Sequence, residues 1–422
     1  MALGHILEQA KKIVVPSKSE EQKVSEIIDE ITKKVNSQLR KKKLDAKLII
    51  GGSVAKGTWL PGISDIDFFL AFNYDEFSDR STELSDFAEK LLKDIFKVQR
   101  LHGSRDYFSA TYQGFSIEIV PVLEIKKLNQ AKNITDFSPL HVNWIAKKIK
   151  KNRELQTHAR LAKQFFKASG VYGAESYVGG LSGHVVEILT INYGGFLQLV
   201  RAVARWQENQ VIDVEKYYKN AAEVFEKLNP SKLQSPLIIV DPIEKYRNAA
   251  AALGEEKFFL AKNTCMKFLA KPSLRFFEEK KISVSDLEKK KNNFRLIVIE
   301  AKPERGKPDV IGAKLLKKFE SLGNVLAEND FIEQDSGWWW PEHGSALYWF
   351  YFDKKSLPST KDHPGPPVKL EKFAKDFKKK WKNIKVREGK LVAVVKRKYT
   401  KPEDLLKTMV KRDKNMKILK VR

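Results

Sequence analysis

Two acidic residues, Asp65 and Asp67, have the spacing of a metal-binding strand. They begin the segment 65–70, in which all other residues are apolar. Because side chains alternate between the two faces of a strand, both carboxylates share one face. Two carboxylates this close repel each other unless a cation lies between them, which indicates a divalent metal ion. The alternative is a strand end that carries two solvated acids.

A turn of small residues precedes this pair of acids. The apolar run 48–50 leads into Gly51, Gly52 and Ser53. At such a turn the backbone N–H groups can approach a phosphate closely. The segment 54–64 then connects the turn to the two acids. The combination favours a site that holds a metal ion beside a phosphate.

A third acid, Glu118, fits the same site. Two strand-like runs surround Gln113 and Gly114, and in the second run Glu118 faces away from the apolar residues Ile117 and Ile119. If this strand lies beside the Asp65 strand, three carboxylates can hold two Mg²⁺ ions. The alternative is that Glu118 is an exposed acid on an edge strand.

The combined pattern resembles the nucleotidyltransferase superfamily of DNA polymerase beta type. Further segments narrow the resemblance to the archaeal-type (class I) CCA-adding enzymes, which are tRNA nucleotidyltransferases. The resemblance extends from about residue 48 to about residue 399. The segments that carry it are GSVAKGTWL at 52–60, SPLH at 138–141, GVYGAE at 170–175, DPIEKYRN at 241–248 and HPGPPV at 363–368.

The resemblance implies an enzyme that adds C, C and A to the 3′ end of tRNA from CTP and ATP, without a nucleic-acid template. Asp65 and Asp67 would each bind both Mg²⁺ ions, and Glu118 would help to bind the ion that activates the 3′-hydroxyl. Pyrophosphate leaves, and no protein nucleophile is needed. Two alternatives stay open: a poly(A) or oligoadenylate polymerase with the same carboxylates, and a non-catalytic, basic RNA-binding protein.

The resemblance also implies a set of residues around the nucleotide. At two positions the chain departs from the family, because Lys56 replaces the common arginine and Glu118 replaces the usual aspartate. Three of the implied residues have a structural alternative. These are a satisfied histidine at the start of a helix for His141, a solvated lysine at the edge of an apolar stripe for Lys163, and a surface ion pair for Arg247. The implied nucleotide-binding residues are Ser53, Lys56, His141, Lys163, Tyr172 and Arg247.

Charge and composition agree with a nucleic-acid partner. The chain has 422 residues, 42% of them hydrophobic, and a formal net charge of +25. Residues 301–422 carry 30 basic and 16 acidic side chains, against 24 and 20 in residues 1–150. A surface that becomes more basic away from the carboxylates suits tRNA, although a generally lysine-rich surface is the alternative.

Cysteine content and hydropathy limit the other classes of protein. The single cysteine, Cys265, excludes an intramolecular disulfide and argues against a cysteine-based zinc site. No apolar run has the length of a transmembrane helix. We therefore expect a cytoplasmic protein without a membrane partner, and the sequence leaves a homodimer open.

Periodicity predicts an α+β multidomain fold. Helical patterns cover 20–40 and 154–169, and an amphipathic helix is predicted near 313–322. Strand-like runs at 295–299 and 391–395 could pair, which makes the region between them an insertion. The resemblance then gives a nucleotidyltransferase head with a mixed sheet and helices, a helical neck, and an α/β body and tail. The predicted bounds are 1–153 for the head, 154–271 for the neck, 272–305 with 385–422 for the discontinuous body, and 306–384 for the tRNA-binding tail.

Overall fold

The computed structural model describes residues 3–63, 65–290, 294–342 and 344–421. The chain divides into two compact units, residues 1–279 and 280–422. Both units combine helices with β-sheets, so the predicted α+β multidomain class is confirmed. In the described ranges, no helix is both long enough and apolar enough to cross a membrane.

The first unit contains a mixed sheet in which the strands follow the order β1-β2-β5-β4-β3. Strands β2 and β5 are parallel, and the other neighbouring strands are antiparallel. A short parallel pair, β6 and β7, lies further along the chain. The strands are β1 (Ala46–Ile50), β2 (Asp65–Asn73), β3 (Gln99–Leu101), β4 (Tyr107–Tyr112), β5 (Phe115–Glu124), β6 (Gln210–Ile212) and β7 (Leu237–Ile239).

Helices cover this sheet and make up most of the rest of the first unit. They are α1 (Leu3–Val14), α2 (Lys18–Lys42), α3 (Gly52–Lys56), α4 (Tyr74–Phe77), α5 (Leu84–Leu92), α6 (Ser138–Lys151), α7 (Glu154–Ala168), α8 (Gly183–Tyr193), α9 (Phe196–Val203), α10 (Ala221–Lys227) and α11 (Glu255–Ala270). The helices predicted at 20–40 and 154–169 are confirmed as α2 and α7.

Helix α2 shows why these segments are helical. Ser17 and Glu20 form a capping box at its start, and the left-handed residue Lys43 ends it. Between them, apolar residues at helical spacing, including Ile27 and Ile31, are buried against the sheet. The helix therefore covers the face of β2 that carries Ile66, opposite the two acids.

The two large hydrophobic cores among the described residues of the first unit are distinct. One joins the mixed sheet to α2 and α5. The other joins α7, α8, α9 and α11, and it also takes Ala10 and Val14 from α1 and Ile145 and Ile149 from α6. Helices α1 and α6 thus contribute to the core of the helical part. The division of the chain near residue 153 stays a prediction.

The second unit contains two antiparallel sheets, one ordered β14-β8-β10-β9 and one ordered β11-β13-β12. Its strands are β8 (Arg295–Ala301), β9 (Glu333–Trp339), β10 (Ala346–Phe352), β11 (Thr360–Pro367), β12 (Ile384–Arg387), β13 (Lys390–Lys396) and β14 (Met416–Val421). Its helices are α12 (Val284–Lys290), α13 (Pro308–Glu328), α14 (Glu371–Lys380) and α15 (Pro402–Val410). The helix predicted near 313–322 is confirmed within α13.

The expected pairing between the runs 295–299 and 391–395 is wrong. Strand β8 pairs with β10 and β14, whereas β13 pairs with β11 and β12. Both runs are strands, but the residues of β8 from Leu296 to Ile299 are all buried, and such a central strand takes two partners. The apolar pattern indicated a strand without indicating which strands lie beside it.

Candidate active site

The three predicted carboxylates lie on two neighbouring parallel strands. In the register of β2 and β5, Asp67 lies opposite Glu118, and Asp65 lies opposite Ser116. Asp65 is exposed, whereas Asp67 and Glu118 are half-buried. The expectation that the two strands are adjacent is therefore confirmed.

Hydrophobic packing fixes which face of β2 carries the acids. Ile66 and Phe68 are buried in the core beneath the sheet. A register shift of one residue would turn both carboxylates into that core and expose the apolar side chains. The burial of each large apolar side chain stabilises the observed register by roughly 1.5–3 kcal/mol.

The surroundings of Asp67 disfavour its charged form. Burial raises the pKa of Asp67, and the nearby charge of Asp65 raises it further. Lys56 acts in the opposite direction but is the weakest of these influences. A bound cation would relieve both the burial cost and the repulsion, as expected of a carboxylate that binds metal.

Gly52 makes room for the Asp67 carboxylate. Its φ of +56° is a left-handed conformation, and a Cβ at this position would lie 1.7 Å from Oδ2 of Asp67. The preceding residue, Gly51, donates its backbone N–H to the carbonyl oxygen of Asp67 at 2.7 Å. The small residues thus bring α3, which contains Ser53, directly against the acidic strand.

Two of the predicted nucleotide-binding lysines share one buried acid, Glu187 of α8. Lys56 Nζ donates to Oε2 of Glu187 at 2.6 Å, and Lys163 Nζ donates to Oε1 at 2.7 Å. The hydroxyl of Thr58 also donates to Oε1, and its oxygen accepts from Lys163 at 2.9 Å. The side chains of Lys163 and Glu187 are only 3% and 1% exposed, and that of Lys56 is 10% exposed.

Ion pairing with two lysines affects the pKa of Glu187 more strongly than burial does. Burial alone would raise the pKa of this carboxyl, but Lys163 and Lys56 hold it at about 2. Burial lowers the pKa of Lys163, and Glu187 opposes that shift. The cluster contains two lysines and one carboxylate, so it has a net positive charge when all three are ionised.

Tyr172 lies beside this cluster. A Cβ on Gly183 would lie 2.7 Å from the Tyr172 hydroxyl oxygen and 3.7 Å from Cε of Lys163. Burial raises the pKa of Tyr172, and the carboxylates of Glu187 and Glu175 raise it further. The phenol therefore remains protonated and can donate a hydrogen bond.

A second acid, Asp241, brings His141 and Arg247 together. Nε2 of His141 lies 2.8 Å from Oδ1 of Asp241, and Arg247 donates to Oδ2 at 3.0 Å. The backbone N–H groups of Ile243 and Glu244 also donate to Oδ1. Burial would raise the pKa of Asp241, but these partners, His141 first, hold it at about 2.

His184 completes this second cluster. Its ring lies edge-on to that of His141, with 4.8 Å between the ring centroids. Burial lowers the pKa of His184 to about 3, and the nearby His141 contributes to the shift. His184 therefore stays neutral at physiological pH.

The sequence analysis missed the residues that organise these contacts: Thr58, His184, Glu187 and Asp241. Glu187 left a signal, because it is a lone acid among Val185, Val186, Ile188 and Leu189. An acid in such an apolar helical run must be paired if it is buried. Asp241 lies within a segment that carried the resemblance, but its own role was not predicted.

Comparisons with known proteins match most of the chain to domains of nucleotidyltransferases and CCA-adding enzymes. Residues 28–141 match the nucleotidyltransferase domain, and residues 157–278 match the second domain of tRNA nucleotidyltransferase. Residues 294–417 match the C-terminal domain of CCA-adding enzyme.

Similar full-length proteins carry the same description. A CCA-adding enzyme of Nanoarchaeum equitans is 36% identical over 335 residues, which cover 79% of this chain and 80% of the relative. A CCA-adding enzyme of Methanosarcina mazei is 30% identical over 423 residues, which cover 95% and 87%. The chain belongs to the CCA-adding enzymes. It is a tRNA nucleotidyltransferase that adds C, C and A to the 3′ end of tRNA without a nucleic-acid template.

Solved structures agree on the fold alone. A cytoplasmic RNA terminal U-transferase superposes with a TM-score of 0.52 at 15% identity, covering 66% of this CCA-adding chain and 99% of that one. The Cid1 poly(U) polymerase bound to Mg and 3′-dATP gives 0.51 at 16% identity, covering 66% and 98%. Divalent metal use is instead indicated by the match of residues 28–141 to the nucleotidyltransferase domain family.

Proposed function

We propose that Asp65, Asp67 and Glu118 hold two Mg²⁺ ions for the addition of CMP and AMP to tRNA from CTP and ATP. The observation that carries this proposal is the register of β2 and β5, which sets Asp67 directly beside Glu118. Bound Mg²⁺ would activate the tRNA 3′-hydroxyl and would neutralise negative charge on the triphosphate and on the leaving pyrophosphate.

The side chains of Asp65, Asp67 and Glu118 are suitable ligands for hard divalent cations. All three are carboxylates, the ligands that Mg²⁺ prefers, and they come from paired strands rather than from loops. The raised pKa of Asp67 reflects burial and repulsion that a cation would remove. Because Gly52 has no Cβ, Oδ2 of Asp67 can lie where a side chain at residue 52 would collide with it.

The triphosphate would contact the segment that contains Ser53 and Lys56, together with the Glu187 cluster. Lys56 and Lys163 both bind Glu187, so one of their two positive charges stays uncompensated. Each ammonium has three donors, and Lys56 is the more exposed of the two. We therefore assign Lys56 to direct phosphate contact and Lys163 to a supporting contact, with Tyr172 as a donor nearby.

The nucleoside would lie against the second cluster. His141 and Arg247 share Asp241, which fixes the directions of both side chains. The side chain of Arg247 is 36% exposed, so it can reach a ligand while it remains tied at one nitrogen. Its planar guanidinium suits contact with a base edge or with the RNA backbone.

The basic second unit would hold the tRNA through its phosphates and the A-form shape of its arms. We also propose that the chain is divided into the predicted head, neck, body and tail domains, and that the tail binds tRNA. A cytoplasmic location and a homodimer stay predictions, and sedimentation equilibrium tests the homodimer.

The test uses tRNA that lacks its CCA end, incubated with labelled CTP, labelled ATP, or both. We expect two C residues from CTP alone, and one further A with no continued tailing when ATP is also present. Tailing from ATP alone would instead identify a poly(A) or oligoadenylate polymerase. No incorporation from any nucleotide would support the non-catalytic RNA-binding alternative.

A further inference from the structure

We propose that Arg160 of α7 is a positioning residue for nucleotide addition. It holds the loop 57–63, which follows α3 and leads to the acidic strand β2. Through this loop it fixes Asp65 and Asp67 relative to the segment 53–56. The inference rests on the proposed function, and it adds a residue that contacts neither the metal ions nor the nucleotide.

Two side chains of α7 donate to neighbouring carbonyl groups of the loop. Nε of Arg160 donates to the carbonyl oxygen of Trp59 at 3.0 Å. Nζ of Lys163 donates to the carbonyl oxygen of Thr58 at 3.2 Å. Because residues three apart lie on the same face of a helix, α7 presents both donors to the loop together. The path of the loop backbone is therefore set by this face of α7.

A further contact to the loop comes from α2. The backbone N–H of Gly62 donates to Oε1 of Glu20 at 3.0 Å. The other oxygen of the same carboxylate, Oε2, accepts from the backbone N–H of Ser17 at 2.8 Å. Side chains of two helices thus hold three backbone atoms of the loop.

The side chains of the loop pack in both large hydrophobic cores of the first unit. Trp59 is buried in the core that contains the mixed sheet. The next residue, Leu60, packs against the core of the helical part. Because packed interiors transmit displacements, a shift of the loop relative to α7 would reach the strand that carries Asp65 and Asp67.

Arg160 is itself almost completely buried, with 6% of its surface exposed. Burial lowers the pKa of its guanidinium, and the carboxylate of Glu21 on α2 opposes that shift. An arginine stays protonated in proteins, and a buried N–H group needs an acceptor. The carbonyl oxygen of Trp59 is the acceptor for Nε, so this bond fixes the loop and the side chain in one arrangement.

Two variants separate the hydrogen bond of Arg160 from its charge. Arg160→Lys keeps the positive charge but places a methylene group at the position of Nε, so the donor to Trp59 is lost. Arg160→Gln keeps an N–H donor near that position and removes the charge. The matched control is Gln164→Met, because Gln164 also lies on α7 and donates to a carbonyl oxygen outside the loop, that of Phe277, at 2.8 Å.

The first measurement is single-turnover CMP addition at saturating CTP and tRNA across a Mg²⁺ titration. Arg160→Lys should lower the rate by about 10-fold or more, because small displacements of reacting groups are costly. It should also raise the Mg²⁺ concentration that gives half of the maximal rate, without changing the KM for tRNA. Arg160→Gln should retain more activity than Arg160→Lys, and Gln164→Met should match the unmodified protein.

The second measurement, hydrogen–deuterium exchange, does not depend on activity. The peptide that covers the loop 57–63 should exchange faster in Arg160→Lys than in Gln164→Met. The peptide that covers β4 should exchange equally in both variants and in the unmodified protein. Circular dichroism checks folding, and if Arg160→Lys does not fold, Arg160→Met takes its place, since it also lacks the donor.

Two results would overturn the inference. One is a donor-lacking variant whose rate, Mg²⁺ dependence and loop exchange all match those of Gln164→Met. The other is a greater loss of activity in Arg160→Gln than in Arg160→Lys, which would assign the effect to charge instead of the bond to Trp59. In both cases the unmodified protein still adds CMP, whereas failure of the proposed function would leave the unmodified protein without CMP addition.

Discussion

Two buried carboxylates position most of the side chains that we assign to the nucleotide. Glu187 holds Lys56 and Lys163, and Asp241 holds His141 and Arg247. A buried acid with two basic partners fixes their directions, because leaving either acid unpaired in the interior is costly. Substitution of either acid should therefore affect two nucleotide contacts at once, whereas substitution of one basic residue should affect one.

The first residue-scale prediction concerns Asp67. Asp67→Ala should abolish nucleotide addition, because it removes a carboxylate proposed to bind both metal ions. The affinity for tRNA should stay within a few-fold, since Asp67 is proposed to act on the metal ions and not on the RNA. Incorporation of labelled CMP and tRNA binding by filter retention give the two measurements. Retained incorporation with abolished tRNA binding would contradict the assignment.

The second residue-scale prediction concerns Glu118, where the resembling family usually has aspartate. Glu118→Gln should slow addition far more than Glu118→Asp, because only the first change removes the charge that holds the metal ion. Glu118→Asp should still slow addition, since the shorter side chain reaches the ion less well.

Single-turnover CMP incorporation across a Mg²⁺ titration separates these outcomes. Both variants should bind tRNA normally, which serves as the control. A Glu118→Gln enzyme that matches the unmodified enzyme at every Mg²⁺ concentration would show that the third ligand lies elsewhere.

At the scale of elements, Glu187 links three pieces of the first unit. It lies on α8, and it binds Lys163 on α7 and Lys56 at the end of α3. Glu187→Gln should destabilise the protein by about 3–5 kcal/mol, because it leaves Lys163 buried with an uncompensated charge. The exposed acid Glu175 is the matched control, and Glu175→Gln should change stability by less than about 0.5 kcal/mol. Urea denaturation measures both, and equal stability losses would contradict this role.

The same substitution should change how stability depends on pH. The pKa of Glu187 is lowered to about 2 in the folded chain, from an ordinary value of 4.5. Its stabilising contribution is therefore fully present above pH 4.5 and is lost as the pH falls towards 2. The stability difference between the unmodified protein and Glu187→Gln should shrink over this window. A constant difference from pH 7 to pH 3 would argue against an ionised Glu187.

Local elements were predictable from the sequence, and most long-range contacts were not. Helix α2 followed from its apolar spacing, and β4 and β5 followed from alternating residues around Gln113 and Gly114. The partners of β8 could not be predicted, because an apolar run indicates a buried strand but does not specify which strands pair with it. The same limit applied to Glu187, which pairs with a lysine 131 residues away, and to the His141–Asp241 contact across 100 residues.

Across the whole molecule, positive charge is concentrated in the second unit. Residues 280–422 contain 36 basic and 19 acidic side chains, whereas residues 1–279 contain 42 and 34. The second unit thus carries +17 of the net charge of +25, although it is about half as long as the first. Such a field attracts a polyanion from solution and accelerates its association in a way that added salt weakens.

Basic residues on helix α14 allow a test of whether this positive charge binds tRNA. Lys378, Lys379 and Lys380 form an exposed basic end on this helix. If they bind tRNA phosphates, their joint replacement by glutamine should weaken binding. It should also reduce the slope of log affinity against log salt by about 0.9 for each duplex phosphate that the protein no longer neutralises. The rate of CMP addition at saturating tRNA should not change, because these lysines are not proposed to contact the nucleotide.

The control removes the same charge from the first unit, at the exposed residues Lys12, Lys18 and Lys41. This triple glutamine variant should leave the salt slope close to that of the unmodified enzyme. Both variants are measured by fluorescence anisotropy of labelled tRNA between about 50 and 200 mM salt. For a protein with several phosphate contacts, the affinity changes by orders of magnitude over this range. Equal slopes for the two triple variants would mean that α14 does not hold tRNA phosphates and that the basic charge of the second unit acts only as a diffuse field.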